Sequence, residues 1–78
     1  MLTLKIITPQ KELLNATASL VELPGTMGRF EVLPGHAPLI SSLDAGTIRY
    51  LQDKEEHRIE TQPGFVEVRD NVVTVCIG

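Results

Sequence analysis

Three Pro-Gly pairs, at residues 24-25, 34-35 and 63-64, cut this chain into short segments, and that punctuation constrains its fold more than any other feature. In each pair proline fixes φ and glycine accepts φ > 0, which suits the middle of a type II turn. Between the turns, apolar residues recur at strand spacing and are rich in β-branched types, and no long stretch has the spacing of an amphipathic helix. Leu2, Leu4 and Ile6 alternate with Thr3, Lys5 and Ile7 until Pro9 ends the run, and a second apolar region covers residues 13–23. Residues 46–62 read as a hairpin in which the charged stretch 53–58 forms a solvated tip. Residues 65–77 read as a second hairpin around Asp70-Asn71, two residues that tolerate left-handed backbone. The pattern predicts an all-β chain closed into a sandwich or barrel.

The 78 residues allow a single domain, 1–78, because a chain this short buries only about 60% of the surface it exposes when unfolded. Cys76 is the only cysteine, so no internal disulfide staples the fold, and in its apolar run it reads as a small buried residue. The net charge of −3 is spread along the chain without a basic stripe, which removes the electrostatic basis for binding nucleic acid. No apolar run approaches the roughly 20 residues of a membrane span, and residues 1–5 lack the pattern of a signal peptide, so any membrane association is expected through other proteins. The sequon Asn15-Ala16-Thr17 is then a chance occurrence. Several predicted strands are apolar on both faces, at Ile6-Ile7, Leu20-Val21, Leu39-Ile40 and Val72-Val73. A two-layer domain buries one face of each sheet, so some of these side chains are expected to meet a partner.

Motifs for chemistry are sparse. There is no G-x-x-x-x-G-K-[ST] or G-x-G-x-x-G loop to cradle phosphates, so no nucleotide binding is expected. His36 and His57 lie at no metal-ligand spacing from each other or from Cys76, so neither metal nor cofactor is expected. Ser41, Ser42, Asp44 and His36 are close in sequence, but a hydrolytic triad needs strand-turn-helix context or distant segments brought together. Asp53-Lys54 near a hairpin tip gives a competing reading as a lipoyl- or biotinyl-type carrier domain with Lys54 as its attachment point. Against it, Lys54 sits in a run of charges rather than in a short apolar-flanked turn.

The most specific segment is residues 28–40, Gly28-Arg29-Phe30-Glu31-Val32-Leu33-Pro34-Gly35-His36-Ala37-Pro38-Leu39-Ile40. It closely resembles the signature of the N-terminal β-sandwich domain of the ATP synthase epsilon subunit. The first strand through Thr8-Pro9, the Leu23-Pro24-Gly25 segment, Leu43-Asp44-Ala45-Gly46-Thr47-Ile48 and the hairpin around Asp70-Asn71 resemble the same family, so the resemblance runs along the whole chain in register. It implies a β-sandwich of about ten short strands in two sheets.

The role implied by the resemblance is mechanical and not enzymatic: a rotor part of the proton-translocating F-type synthase at the foot of the central stalk. Its partners would be the gamma subunit and the polar loops of the membrane c-ring. The location implied is peripheral, on the cytoplasmic face of the bacterial inner membrane. By position, Thr8, His36 and Ser41 match the gamma contact, with Ala37 and Leu39 as packing neighbours. His36 also has a local reading, as a turn histidine whose ring satisfies nearby backbone groups. Gly28, Arg29, Phe30 and Glu31 match the loop that faces the c-ring, although Arg29 stands where an acidic residue is common and Glu31 where glycine is common. Arg29 would then meet carboxylates or carbonyls on the ring. The family's C-terminal helical hairpin, which can inhibit hydrolysis and in some members bind ATP, has no counterpart before Gly78, so neither activity is expected of these residues.

Overall fold

The computed structural model describes residues 1–78 and contains nine strands. They are β1 (Leu2–Ile7), β2 (Glu12–Ala18), β3 (Leu20–Gly25), β4 (Gly28–Val32), β5 (Leu39–Leu43), β6 (Gly46–Gln52), β7 (Glu55–Thr61), β8 (Gly64–Arg69) and β9 (Val72–Ile77). The expected β-sandwich is present, with nine strands rather than about ten. Its two layers are not separate sheets. All strands join in the order β2-β1-β9-β8-β5-β3-β6-β7, with β4 on β3, so one sheet curls back over itself.

The fold-back occurs where β3 changes partners. Leu20, Val21 and Glu22 pair with β6, whereas Gly25 pairs with Leu43 of β5. On the opposite side the layers are tied by the Ser19 amide, which donates to the Leu51 carbonyl at 2.9 Å. All ladders are antiparallel except β1 with β9, where Thr3 lies beside Val72 and Ile7 beside Cys76.

Alternation decides which side chains enter the space between the layers. Leu2, Leu4 and Ile6 of β1, Val66 and Val68 of β8, and Val73 and Val75 of β9 face Val21 and Leu23 of β3 and Ile48 and Tyr50 of β6, all of them buried. Burying each Leu, Ile or Val side chain contributes roughly 1.5–3 kcal/mol. His57 is directly opposite Tyr50 on β7 and stacks on its ring with centroids 5.0 Å apart. That contact explains a histidine in an otherwise polar segment.

The turns correct three local expectations. Pro34-Gly35 is the expected turn, with Gly35 at φ 84 and the His36 amide donating to the Leu33 carbonyl at 3.1 Å. Pro24-Gly25 instead lies inside β3, and the turn comes after it at Thr26-Met27, with Gly28 at φ 123. Proline is tolerated there because it has no amide to satisfy, and its carbonyl accepts the Asp44 amide at 2.8 Å. Gly64 opens β8 without a positive φ, so Pro63-Gly64 is a strand entry rather than a type II turn. The charged stretch 53–58 is not a loop either. Asp53 and Lys54 alone form the tip, at φ 52 and 67, and Glu55 onward is strand. Asp70 and Asn71 form the matching two-residue turn at φ 51 and 64, as expected.

Candidate docking surfaces

The two outer faces of the curled sheet differ in chemistry. On the β2-β1-β9-β8-β5 layer the outward positions include a row Ile7, Cys76, Phe65 and Ser42, linked strand to strand by the register. The next row is Lys5, Thr74, Glu67 and Ile40. Ile40 is 74% exposed and Phe65 56%. At the Ile7 end of the first row is an open groove of about 350 Å³, lined mainly by Ile7, Pro9, Pro63, Phe65, Cys76 and Ile77. The row also reaches the β3–β4 turn: Thr26 Oγ1 and Ser42 Oγ are 2.6 Å apart, and the Thr26 amide donates to the Ser42 carbonyl. Met27, the next residue, is 98% exposed.

The outer face of the β4-β3-β6-β7 layer is charged. Glu22 Oε1 accepts from Arg29 Nη2 at 3.1 Å and from Arg49 Nε at 3.2 Å. Arg49 Nη1 reaches Glu56 Oε1 at 3.3 Å, and Arg58 Nε reaches Glu56 Oε2 at 2.7 Å. The hydrogen bonds from Arg49, and then from Arg29, hold the Glu22 carboxyl below the usual carboxylate range. The hydrogen bond from Arg58, with a smaller one from Arg49, does the same for Glu56. Glu22 in turn raises Arg49 above its ordinary value. Arg29 also donates to the Thr47 carbonyl at 2.8 Å, so two partners inside this chain occupy its guanidinium.

The residues expected at a gamma contact are not brought into one cluster. Thr8 closes the β1–β2 turn, its hydroxyl within 3.3 Å of the Gln10 amide and 3.2 Å of the Lys11 amide. His36 and Ala37 sit beyond the other end of the layer, where Gly35 docks on Asn71. The His36 ring is engaged locally, with Nδ1 donating to the Ala37 carbonyl at 2.6 Å. Leu39 and Ser41 project from the inner side of β5, Leu39 packing on the core and Ser41 donating to the Ser42 carbonyl. The outward neighbour is Ile40, which strict alternation on β5 could have identified. With His36 and Ser41 each bonded to its own backbone surroundings, neither activates the other for hydrolysis. Of the four residues matched to the c-ring loop, Gly28 is at the turn, Arg29 and Glu31 point outward, and Phe30 packs on the core.

The family model of the ATP synthase delta/epsilon chain β-sandwich domain matches residues 1–77. The chain belongs to this family. Among curated relatives, the ATP synthase epsilon chain of Desulfitobacterium hafniense is 47% identical over 73 residues, 94% of this chain and 55% of the relative. That of Synechococcus elongatus is 46% identical over 76 residues, 97% of this chain and 56% of the relative. The epsilon-type domain described here thus spans about half the length of the curated relatives it matches. Its fold recurs in a chain of the Euglena gracilis mitochondrial ATP synthase, seen by cryo-EM as OSCP/F1/c-ring, with a TM-score of 0.89 at 19% identity, covering 97% of this chain and 49% of that one. A chain of the Tetrahymena thermophila mitochondrial ATP synthase central stalk/c-ring superposes with a TM-score of 0.76 at 17% identity, covering 97% and 62%.

Proposed function

We propose that this chain is a non-catalytic rotor part of a proton-translocating F-type ATP synthase, joining the gamma subunit to the c-ring in the central stalk. It would act as one domain, 1–78, peripheral to the cytoplasmic face of the bacterial inner membrane and held there by its partners. The observation that carries this reading is the family match over residues 1–77, nearly the whole chain. Exposed apolar side chains on one sheet face supply a surface suited to a protein partner.

The gamma contact is assigned to the outer face of β5, β8 and β9, with Ile40 and Phe65 as anchors. Thr8, His36, Ala37, Leu39 and Ser41 would shape its ends and support it from beneath. The c-ring contact is assigned to the β3–β4 hairpin with Gly28, Arg29, Phe30 and Glu31. Because Arg29 is already paired with Glu22 and Thr47, the hairpin would meet the ring as a stiff edge rather than through a free cation. A carrier role for Lys54 is disfavoured, since its turn runs directly into the charged start of β7, Glu55-Glu56.

The test is size-exclusion chromatography of this chain with the gamma subunit from the same source. Co-elution is expected for the unmodified chain and is expected to be lost in the double variant Ile40→Asp, Phe65→Ser. Failure of the folded, unmodified chain to co-elute would overturn the rotor assignment.

A further inference from the structure

We infer that the recess enclosed by Arg29, Arg49 and Arg58 on the outer face of β4, β3, β6 and β7 is a binding site for a small phosphate-class oxyanion. The recess has a volume of about 200 Å³ and is lined by Glu22, Arg29, Thr47, Arg49 and Arg58. A water takes about 30 Å³ of liquid volume, so the space accommodates a compact anion with part of its hydration shell.

Charge is the first argument. Three guanidiniums and one carboxylate line the recess, and with Glu56 paired to Arg49 and Arg58 from outside it the cluster keeps an excess of one positive charge, which an anion neutralises. The Glu22 carboxylate is shared between two arginines through one oxygen. Glu56 neutralises the far side of Arg49 and Arg58 from outside the recess. Arg49 and Arg58 are also direct cross-strand partners, and Glu56, bonded to both, offsets the repulsion of these like charges only from outside the recess.

Donor supply is the second argument. An arginine carries five N–H groups. The three arginines thus offer fifteen, and the hydrogen bonds to Glu22, Thr47 and Glu56 take five of them. Ten of their N–H groups make no hydrogen bond within the chain. Arg49 is held at both ends of its fork, by Glu22 and Glu56, so its remaining donors are pre-aimed and little side-chain freedom is lost on binding.

The rim sets the size of the ligand. Glu31 lies across the ladder from Glu22, and Glu60 accepts the Thr47 hydroxyl at 2.6 Å. These carboxylates flank the recess and repel extended polyanions, which restricts the site to a single oxyanion group from free phosphate or a small phosphate ester. The site is separate from the apolar face assigned to the gamma subunit, shares Arg29 with the hairpin assigned to the c-ring, and rests on neither assignment.

The experiment is an NMR titration of the isotopically labelled chain with inorganic phosphate, following the arginine Nε–Hε resonances against sodium chloride at matched ionic strength. Saturable shifts are expected at Arg29, Arg49 and Arg58, and their loss in Arg58→Gln. Arg58 is the most exposed of the three and pairs only with Glu56, so that variant keeps the fold, as unchanged Val66 and Val75 methyl resonances would verify. Arg29→Gln should weaken binding in the same way. Shifts no larger than those in chloride, or equal in the wild type and Arg58→Gln, would overturn the inference. A parallel titration with glycerol phosphate separates the sources. Equal saturation means that the site accepts an ester, and saturation by inorganic phosphate alone means that the rim admits only the free anion; both support the site.

Discussion

Gly25 and Leu43 form the one in-register pair through which β3 is joined to β5, and so the seam between the two layers of the sheet. Gly25 is there because nothing larger fits: a Cβ would lie 2.7 Å from the Gly28 carbonyl oxygen and 2.9 Å from Phe30 Cε1. Gly25→Ala is therefore expected to destabilise the chain by about 1–3 kcal/mol, the range for overpacking. Urea unfolding followed by circular dichroism would show a lower midpoint with an unchanged slope. A midpoint equal to wild type would mean that the seam yields freely.

The arginine–glutamate ladder predicts an acid limb. The Glu22 and Glu56 carboxyls are held below their ordinary value of 4.5 when folded. Depressed carboxyls contribute stability that is present above the unfolded value and is lost as pH falls through the folded one. Stability should stay level from neutrality to near the ordinary carboxyl value and decline below it. Glu22→Gln should make the decline shallower, and added salt should reduce the difference because the pairs are partly exposed. Thermal melts at a series of pH values, with and without salt, check both statements.

Neighbouring positions on β5 should respond in opposite ways. Leu39 packs on the core whereas Ile40 is 74% exposed. Leu39→Ala is expected to cost about 2 kcal/mol or more through the cavity it leaves. Ile40→Ala should shift stability by no more than about 0.5 kcal/mol, as surface changes do. A loss of stability at Ile40 equal to that at Leu39 would contradict the facing described here.

Asn71 has two functions in its turn, and two substitutions separate them. Its backbone is left-handed at φ 64, and its Oδ1 accepts the Gly35 amide at 2.7 Å, holding the loop before β5. Asn71→Gly removes only the hydrogen bond, at a cost of about 0.5–1.5 kcal/mol. Asn71→Ala removes it and adds the left-handed penalty of about 1–2 kcal/mol. Denaturant unfolding should therefore rank wild type, Gly and Ala in descending stability.

Much of this architecture was legible in the residues because period-two alternation and turn chemistry are local signals. The run Val72 to Ile77 and the Asp70-Asn71 turn could hardly be read otherwise. The Pro24-Gly25 pair misleads because proline's compatibility with β3 depends on Asp44, distant in sequence, supplying a donor to its carbonyl. Charges in the stretch 53–58 suggested a loop because an outward strand face and a loop are equally solvated. Only the pairing with β6 distinguishes them. For the proposed docking surfaces, the family motif points to segments but not to the faces their residues occupy. The side of the sheet that each residue occupies came from register, which placed Ile40 outward and Leu39 inward. The arginine recess was the least legible feature, since Arg29, Arg49 and Arg58 meet only after four strands, β4, β3, β6 and β7, have paired.

The parallel pairing of β1 with β9 has a consequence for how the chain acquires its shape. The strand β1 finds its partner on one side in the next strand, β2, but on the other side only in β9, the last of the nine strands. Such distant pairing must meet its loop-closure entropy before it returns any stabilisation, which places the chain among slow, topology-limited folders. Until β9 arrives, one edge of β1 remains open to solvent, with Leu2, Leu4 and Ile6 already patterned for burial. The interval before that edge closes is when a nascent chain of this kind is most exposed to pairing with another copy of itself.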